Sequence, residues 1–229
     1  MNLLAVPSPL PLPLSTTAPD NDPASLAATL MQSRQTILPK RLLAPGPDAK
    51  QLGLILSAAA TAPDHGQLQP WRLVLVPQAA RARLAGVFGA ALMERDAQAT
   101  PEQLAQAREK AHRAPLLMLA VVEGERGDAE IDLAERIVSA GCAIQNMLLM
   151  ATALGYGSAL TSGKALKSAG LRTLFGLAAS EQALCFVSIG TAQSRKPARL
   201  RPAPPDFVSS LSADGCAPGR EPADSFYSL

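Results

Sequence analysis

The chain has 229 residues, enough for one domain with a sizeable core and tails at both ends. Hydrophobic residues make up 48% of it but aromatics only 3%, so Ala and Leu build the core and no aromatic row offers to stack nucleic-acid bases. Lys and Arg are dispersed among Asp and Glu, with a formal net charge of +2, and no basic block marks a nucleic-acid partner.

The cysteines, Cys142, Cys185 and Cys216, are odd in number and lack metal spacing. The first two sit in apolar runs, where a small buried hydrophobe is a simpler account than chemistry. No disulfide framework is implied, and a reducing cytoplasm fits. Residues 1–21 carry no basic n-region, and their prolines break any apolar helix, so they read as a disordered Pro-rich arm and not as a secretory signal.

Taken in order, Asp22 with Pro23 opens a first helix with Leu26, Leu30 and Met31 on one face, and Pro39 closes the region. This leaves Ser33, Arg34, Gln35 and Thr36 at the helix terminus. Asp48 opens a second helix, with Leu52, Ile55, Leu56 and Ala59 on one stripe. Residues 62–66 stop it, and Trp71–Val76 reads as a strand. Helices are predicted over Gln78–Asp96 and Pro101–Arg113, the latter capped by Thr100. The continuous apolar run 116–122 predicts a strand inside a sheet.

A long helix follows over Asp132–Leu154, with Gly155 just past its end. Its apolar stretch, Ile137–Leu154, is interrupted by Ser139, Gln145 and Asn146, so it reads as a core helix and not as a membrane span. A helix apolar on nearly all sides is expected to be buried on all sides, by a second subunit or by the centre of a monomer. Tyr156–Leu160 and Ala183–Ile189 complete the strands, with a helix over Lys164–Leu174 between them. Few strands separated by many helices predict an α+β fold, a three-layer α/β/α sandwich. The expected division is a Pro-rich arm at 1–21, one domain at 22–208 and a flexible tail at 209–229.

Catalytic motifs are scarce. There is no GxGxxG after a strand, no Walker lysine loop, no CxxC, no HExxH and no GxSxG. The two histidines, His65 and His112, supply no metal cluster, and no paired carboxylates suggest hydrolysis. What remains is a set of polar loops at the ends of core elements: Ser33–Thr36, Asp64–Trp71, Leu160–Gly163 and Gly190–Lys196. They contain basic residues for a phosphate and amides or hydroxyls for a heterocycle edge. Composition does not choose FMN over another anionic ligand.

The segment APDHGQLQPWRLVLV (Ala62–Val76) resembles the APDH, QPWRF and strand sequence of the compact nitroreductases. SAGCAIQNMLLMATALGYGSALTSG (Ser139–Gly163) resembles their long helix, Gly-aromatic-Gly turn and Ser-Gly. His112-Arg113-Ala114-Pro115 and Ile189-Gly190-Thr191 fall in the expected order, and the resemblance covers roughly Leu26 to Phe207.

The resemblance implies a nitroreductase-like mixed sheet around a long central helix. It also implies a homodimer with two FMN sites built across the interface. Ser33, Arg34, Gln35 and Thr36 align with the Arg-Arg-Ser stretch for the FMN phosphate and ribityl chain, Gln35 replacing the second arginine. Arg195 and Lys196 stand where the family places a basic residue. His65 and Gln69 align with positions beside the flavin. Leu160, Thr161, Ser162 and Gly163 align with a Trp-Arg-Ser stretch over the ring, with both Trp and Arg lost.

The implied activity is an FMN-dependent NAD(P)H oxidoreductase: NAD(P)H reduces FMN by hydride transfer, and a nitroaromatic, quinone or similar electrophile is then reduced in ping-pong fashion. The alternatives are a flavin-binding protein without turnover, or a flavoenzyme of other chemistry. On the residues alone, Arg34 equally serves the helix end, His65 a loop, Trp71 packing, Arg72 a salt bridge and Arg113 structure.

Overall fold

A computed structural model describes residues 22–195, 197 and 200–209; the N-terminal arm, Lys196, Cys216 and the tail beyond Ser209 lie outside the described residues. The chain divides into two units, Met1–Arg195 and Lys196–Leu229. In the second, Pro204–Asp206 forms one 3-10 turn, with the Ala203 amide donating to Asp206 Oδ2 at 2.8 Å.

In the first unit, β5 (Glu181–Ala192) is the hub of a five-stranded sheet. It pairs antiparallel with β3 (Leu116–Glu123), β4 (Gly157–Thr161) and the two-residue β1 (Leu42–Leu43), and β3 pairs antiparallel with β2 (Trp71–Leu75). The parallel component of the expected mixed sheet is a single bridge, Thr36 to Ser158.

Strand alternation assigns the two faces. Met118, Ala120, Cys185, Val187 and Ile189 pack under α2 (Ala49–Ala59) and α5 (Leu133–Ala153). Leu117, Leu119, Val121 and Phe186 pack under α3 (Arg81–Arg95) and α6 (Ala169–Phe175), with Ala111 just after α4 (Pro101–Glu109). Helices therefore cover both faces, and the sandwich has three layers. Cys185 lies in this core, where burial pushes its thiol up to about 11, as expected of a packing cysteine.

Local chemistry accounts for the helix ends. Asp22 caps α1 (Pro23–Ser33), Asp48 and Thr100 close capping boxes with Gln51 and Gln103, and Asp132 caps α5. Gly155, at φ +86°, follows the α5 C-cap. One expected helix is broken: Lys164–Lys167 is a 3-10 turn, and Ser168 takes the N-cap of α6 by accepting from Leu171 N. The hydroxyl satisfies an orphan amide only if a new helix begins there.

Within the single chain α5 is covered on one side. Its inner face is buried, but Ala134, Val138, Gly141 and Gln145 form an exposed stripe, with Val138 65% exposed. The neighbouring α1 and α2 likewise leave Leu26, Met31 and Leu54 exposed. Two buried arginines brace loops. Arg81, 1% exposed, donates to the carbonyls of Val76, Ala111, Arg113 and Pro115. Arg136 does the same for Arg126, Asp128 and Ile131. Among the described residues, no helix is long and apolar enough to cross a membrane.

Two predictions follow from packing and charge. A Cβ on Gly190 would meet Pro115 Cδ at 2.6 Å and the Leu43 carbonyl at 3.0 Å. Gly190→Ala is thus expected to lower stability in urea unfolding by about 1–3 kcal/mol as β1 and Pro115 are forced apart. Glu181 accepts from Arg72 Nε at 2.5 Å, Arg72 Nη2 at 2.9 Å and Ala178 N at 2.9 Å, and the Arg72 guanidinium foremost holds its carboxyl below the usual range. That stability is complete above the unfolded value near ~4.3 and is lost as pH falls through the lower folded value. Glu181→Gln is expected to melt earlier at pH 7, with the gap to wild type closing in acid.

Candidate functional site

Segment 33–36 and strand β4 meet at one edge of the sheet. Ile37 N donates to the Ser158 carbonyl at 2.9 Å, beside the Thr36 bridge. The approach needs glycine at 157, where a Cβ would stand 2.9 Å from Ile37 Cγ1 and from Leu42 Cδ2. Ser33 ends α1, its hydroxyl donating to the Leu30 carbonyl, and Arg34 is the C-cap. Arg195 reaches the same corner, Nη2 donating to the Gly155 carbonyl at 3.1 Å. Of the expected phosphate residues, Ser33, Arg34, Gln35, Thr36 and Arg195 therefore converge, and Lys196 lies outside the described residues.

Next to this corner opens a cavity of about 470 Å³ on the α3 side of the sheet. Leu117, Phe186 and Ser188 form its floor, and Leu38 and Pro39 carry the chain from Thr36 into its wall. Phe88 of α3 meets Phe186 edge to face, 5.6 Å between centroids, and stiffens that floor. Thr161, Ser162 and Gly163 line the cavity. Leu160 does not: paired with Val187, it belongs to the opposite face of the sheet and its side chain is exposed.

Basic residues on the cavity wall were missed in the sequence. Among the described residues Arg95, Lys110, Arg113 and Lys164 line it, and no carboxylate does. Arg113 is paired with Glu109 four residues earlier; Arg95, Lys110 and Lys164 make no ion pair among the described residues. Arg95 in the last turn of α3 reads as a dipole partner, and Lys110 sits in a polar stretch whose inward side no periodicity reveals. Only the fold turns them to one space.

His65 and Gln69 lie elsewhere, in the loop between α2 and β2. His65 Nδ1 is 2.8 Å from Glu135 Oε2, in the first turn of α5, and the His65 side chain is 69% exposed. Gly66, Gln67 and Gln69 all have positive φ, which is uncommon for non-glycine residues and marks a held conformation. Two contacts hold it: Gln69 N donates to Asp64 Oδ2 at 2.7 Å, and Arg126 Nη2 donates to the carbonyls of Leu68 and Gln69 at 2.7 and 2.6 Å. Glu135 and Gly155 stand 20 residues apart on and just past α5, about 30 Å at 1.5 Å per residue. Within one chain, then, His65 and Gln69 are not brought to Arg34 and Arg195.

Among the described residues, three buried side-chain atoms lack a hydrogen-bond partner: Gln35 Oε1, Ser158 Oγ and Asp64 Oδ1. Two fall at the corner and the third in the His65 loop. Leaving such an atom unpaired costs about 1–3 kcal/mol, which a hydrogen-bonding ligand recovers. No group of acids, histidines and cysteines among the described residues is arranged to hold a metal ion.

Residues 32–191 match the model of the nitroreductase family. The chain is 34% identical over 186 residues to the "Putative NAD(P)H nitroreductase" of Haemophilus influenzae, covering 81% of this chain and 99% of the relative. A nitroreductase-like family protein of Bacillus cereus superposes with a TM-score of 0.68 at 16% identity, over 81% of this chain and 96% of its own. A nitroreductase of Desulfitobacterium hafniense, solved with bound FMN, gives 0.58 at 18% identity, over 81% and 97%. The chain belongs to the nitroreductase family.

Proposed function

We propose that this protein is a homodimeric FMN-dependent oxidoreductase, in which a nicotinamide dinucleotide and an electrophilic acceptor use one cavity in turn. The observation that carries the proposal is the cavity itself: an apolar floor with basic walls and, among the described residues, no acid. A planar anionic heterocycle suits that combination.

Arg34 and Arg195 would hold the phosphate, with Ser33, Gln35 and Thr36 on the adjoining chain. Thr161, Ser162 and Gly163 would face the ring, supplying hydroxyls and backbone amides. Lys110 would offer positive charge to the ring once it carries two electrons. Bound FMN supplies the redox chemistry, accepting a hydride equivalent and passing two electrons on. The residues orient the ligand, exclude water through Leu38, Leu117 and Phe186, and fix the charge environment.

Two features support the dimer. The exposed apolar stripe of α5 is a surface that a second copy would bury. About 30 Å of α5 separates Glu135, which holds the His65 loop, from Gly155, which Arg195 bonds, so a site using both would take them from different subunits.

FMN loading tests the proposal. Protein incubated with FMN and desalted is expected to retain flavin absorbance near ~450 nm that bleaches anaerobically with NADPH or NADH. Retained flavin that neither dinucleotide bleaches would leave a binding protein, and failure to retain FMN would overturn the reading.

A further inference from the structure

We infer that Arg95 and Lys164 select acceptors that carry a carboxylate on an aromatic ring; the inference rests on the flavin reading and narrows its substrate class. The proposed phosphate holders, Arg34 and Arg195, stand at the corner outside the cavity lining, and Arg113 is neutralised by Glu109. Lys110 serves the reduced ring. Two cations remain on separate walls, Arg95 at the end of α3 and Lys164 just after Gly163, both exposed and neither ion-paired among the described residues.

Among the described residues no carboxylate lines the cavity to balance them, while Phe88, Leu92 and Phe186 offer an apolar surface for a ring. A compound with an aromatic body and one negative group satisfies both parts, whereas a cationic acceptor meets repulsion from each wall. For a nitro compound the reaction balances with one NAD(P)H and one proton: the hydride's two electrons convert nitro to nitroso, one oxygen leaves as water, and NAD(P)⁺ is released.

The test compares 4-nitrobenzoate with the neutral 4-nitrobenzamide in the FMN-loaded protein. It also measures equilibrium binding of the unreactive benzoate and benzamide to the oxidised form by calorimetry. The carboxylates are expected to be preferred roughly tenfold in kcat/KM and in affinity at low salt, with the preference shrinking toward unity at ~0.5 M NaCl. In an Arg95→Gln, Lys164→Gln double variant the ratio is expected to fall to about one at any salt.

Equal use of both acceptors by an FMN-loaded, NAD(P)H-bleachable protein would overturn this inference alone. So would a double variant that keeps the carboxylate preference and loses only NADPH over NADH discrimination in the reductive half-reaction, since the cations would then serve the dinucleotide phosphate. Failure to retain FMN at all would overturn the flavin reading and this one with it.

Discussion

Helix α5 sets the distances on which the rest of the molecule depends. It is 21 residues long, capped by Asp132 at one end and released by Gly155 at the other. Its inner face carries Ala140, Ala143, Ile144, Met147, Leu148 and Ala151 onto the sheet, so it cannot shift without opening the core. One end anchors the His65 loop through Glu135, and Arg195 bonds the carbonyl just beyond the other. A rigid element of about 30 Å therefore separates two groups of residues that look as if they belong to one ligand. The stripe left exposed along the same helix is the surface that the proposed second chain would cover.

The two buried arginines show how the fold tolerates irregular backbone at the places that matter. Arg81 satisfies carbonyls around Ala114, whose φ is +63°, and so fixes the turn carrying Lys110 and Arg113 to the cavity. Arg136 orders the loop from which Arg126 reaches the carbonyls of Leu68 and Gln69. Among the described residues neither guanidinium meets a carboxylate; each satisfies backbone oxygens that would otherwise be buried unpaired.

Much of this was legible in the sequence, for identifiable reasons. Caps at Asp22, Asp48, Thr100 and Asp132, and the apolar run before Glu123, are local signals, and the elements begin and end close to where those signals stand. The break at Ser168 was hidden because a serine cap inside an amphipathic pattern looks like a surface residue. Exposure along α5 in the single chain was hidden because apolarity marks a face to be covered without saying what covers it. The motif resemblance singled out Leu160–Gly163 as one stretch, but strand alternation divides it, turning Thr161 to the cavity side and Leu160 to the opposite face. Arg95, Lys110 and Lys164 come from three distant stretches, so only the folded chain reveals that they share one space.

On the proposed reading, a working site needs the Arg34 corner of one chain and the His65 loop of another. Subunit complementation tests it most directly: Arg34→Ala and His65→Ala variants, each impaired alone, are unfolded together, refolded as a mixture with FMN, and assayed for NAD(P)H oxidation. Half of the dimers in an equal mixture are mixed, each with one intact site, so recovery to about a quarter of wild-type activity is predicted. Activity no higher than the mean of the two variants would contradict the shared site and return the chemistry to a single chain.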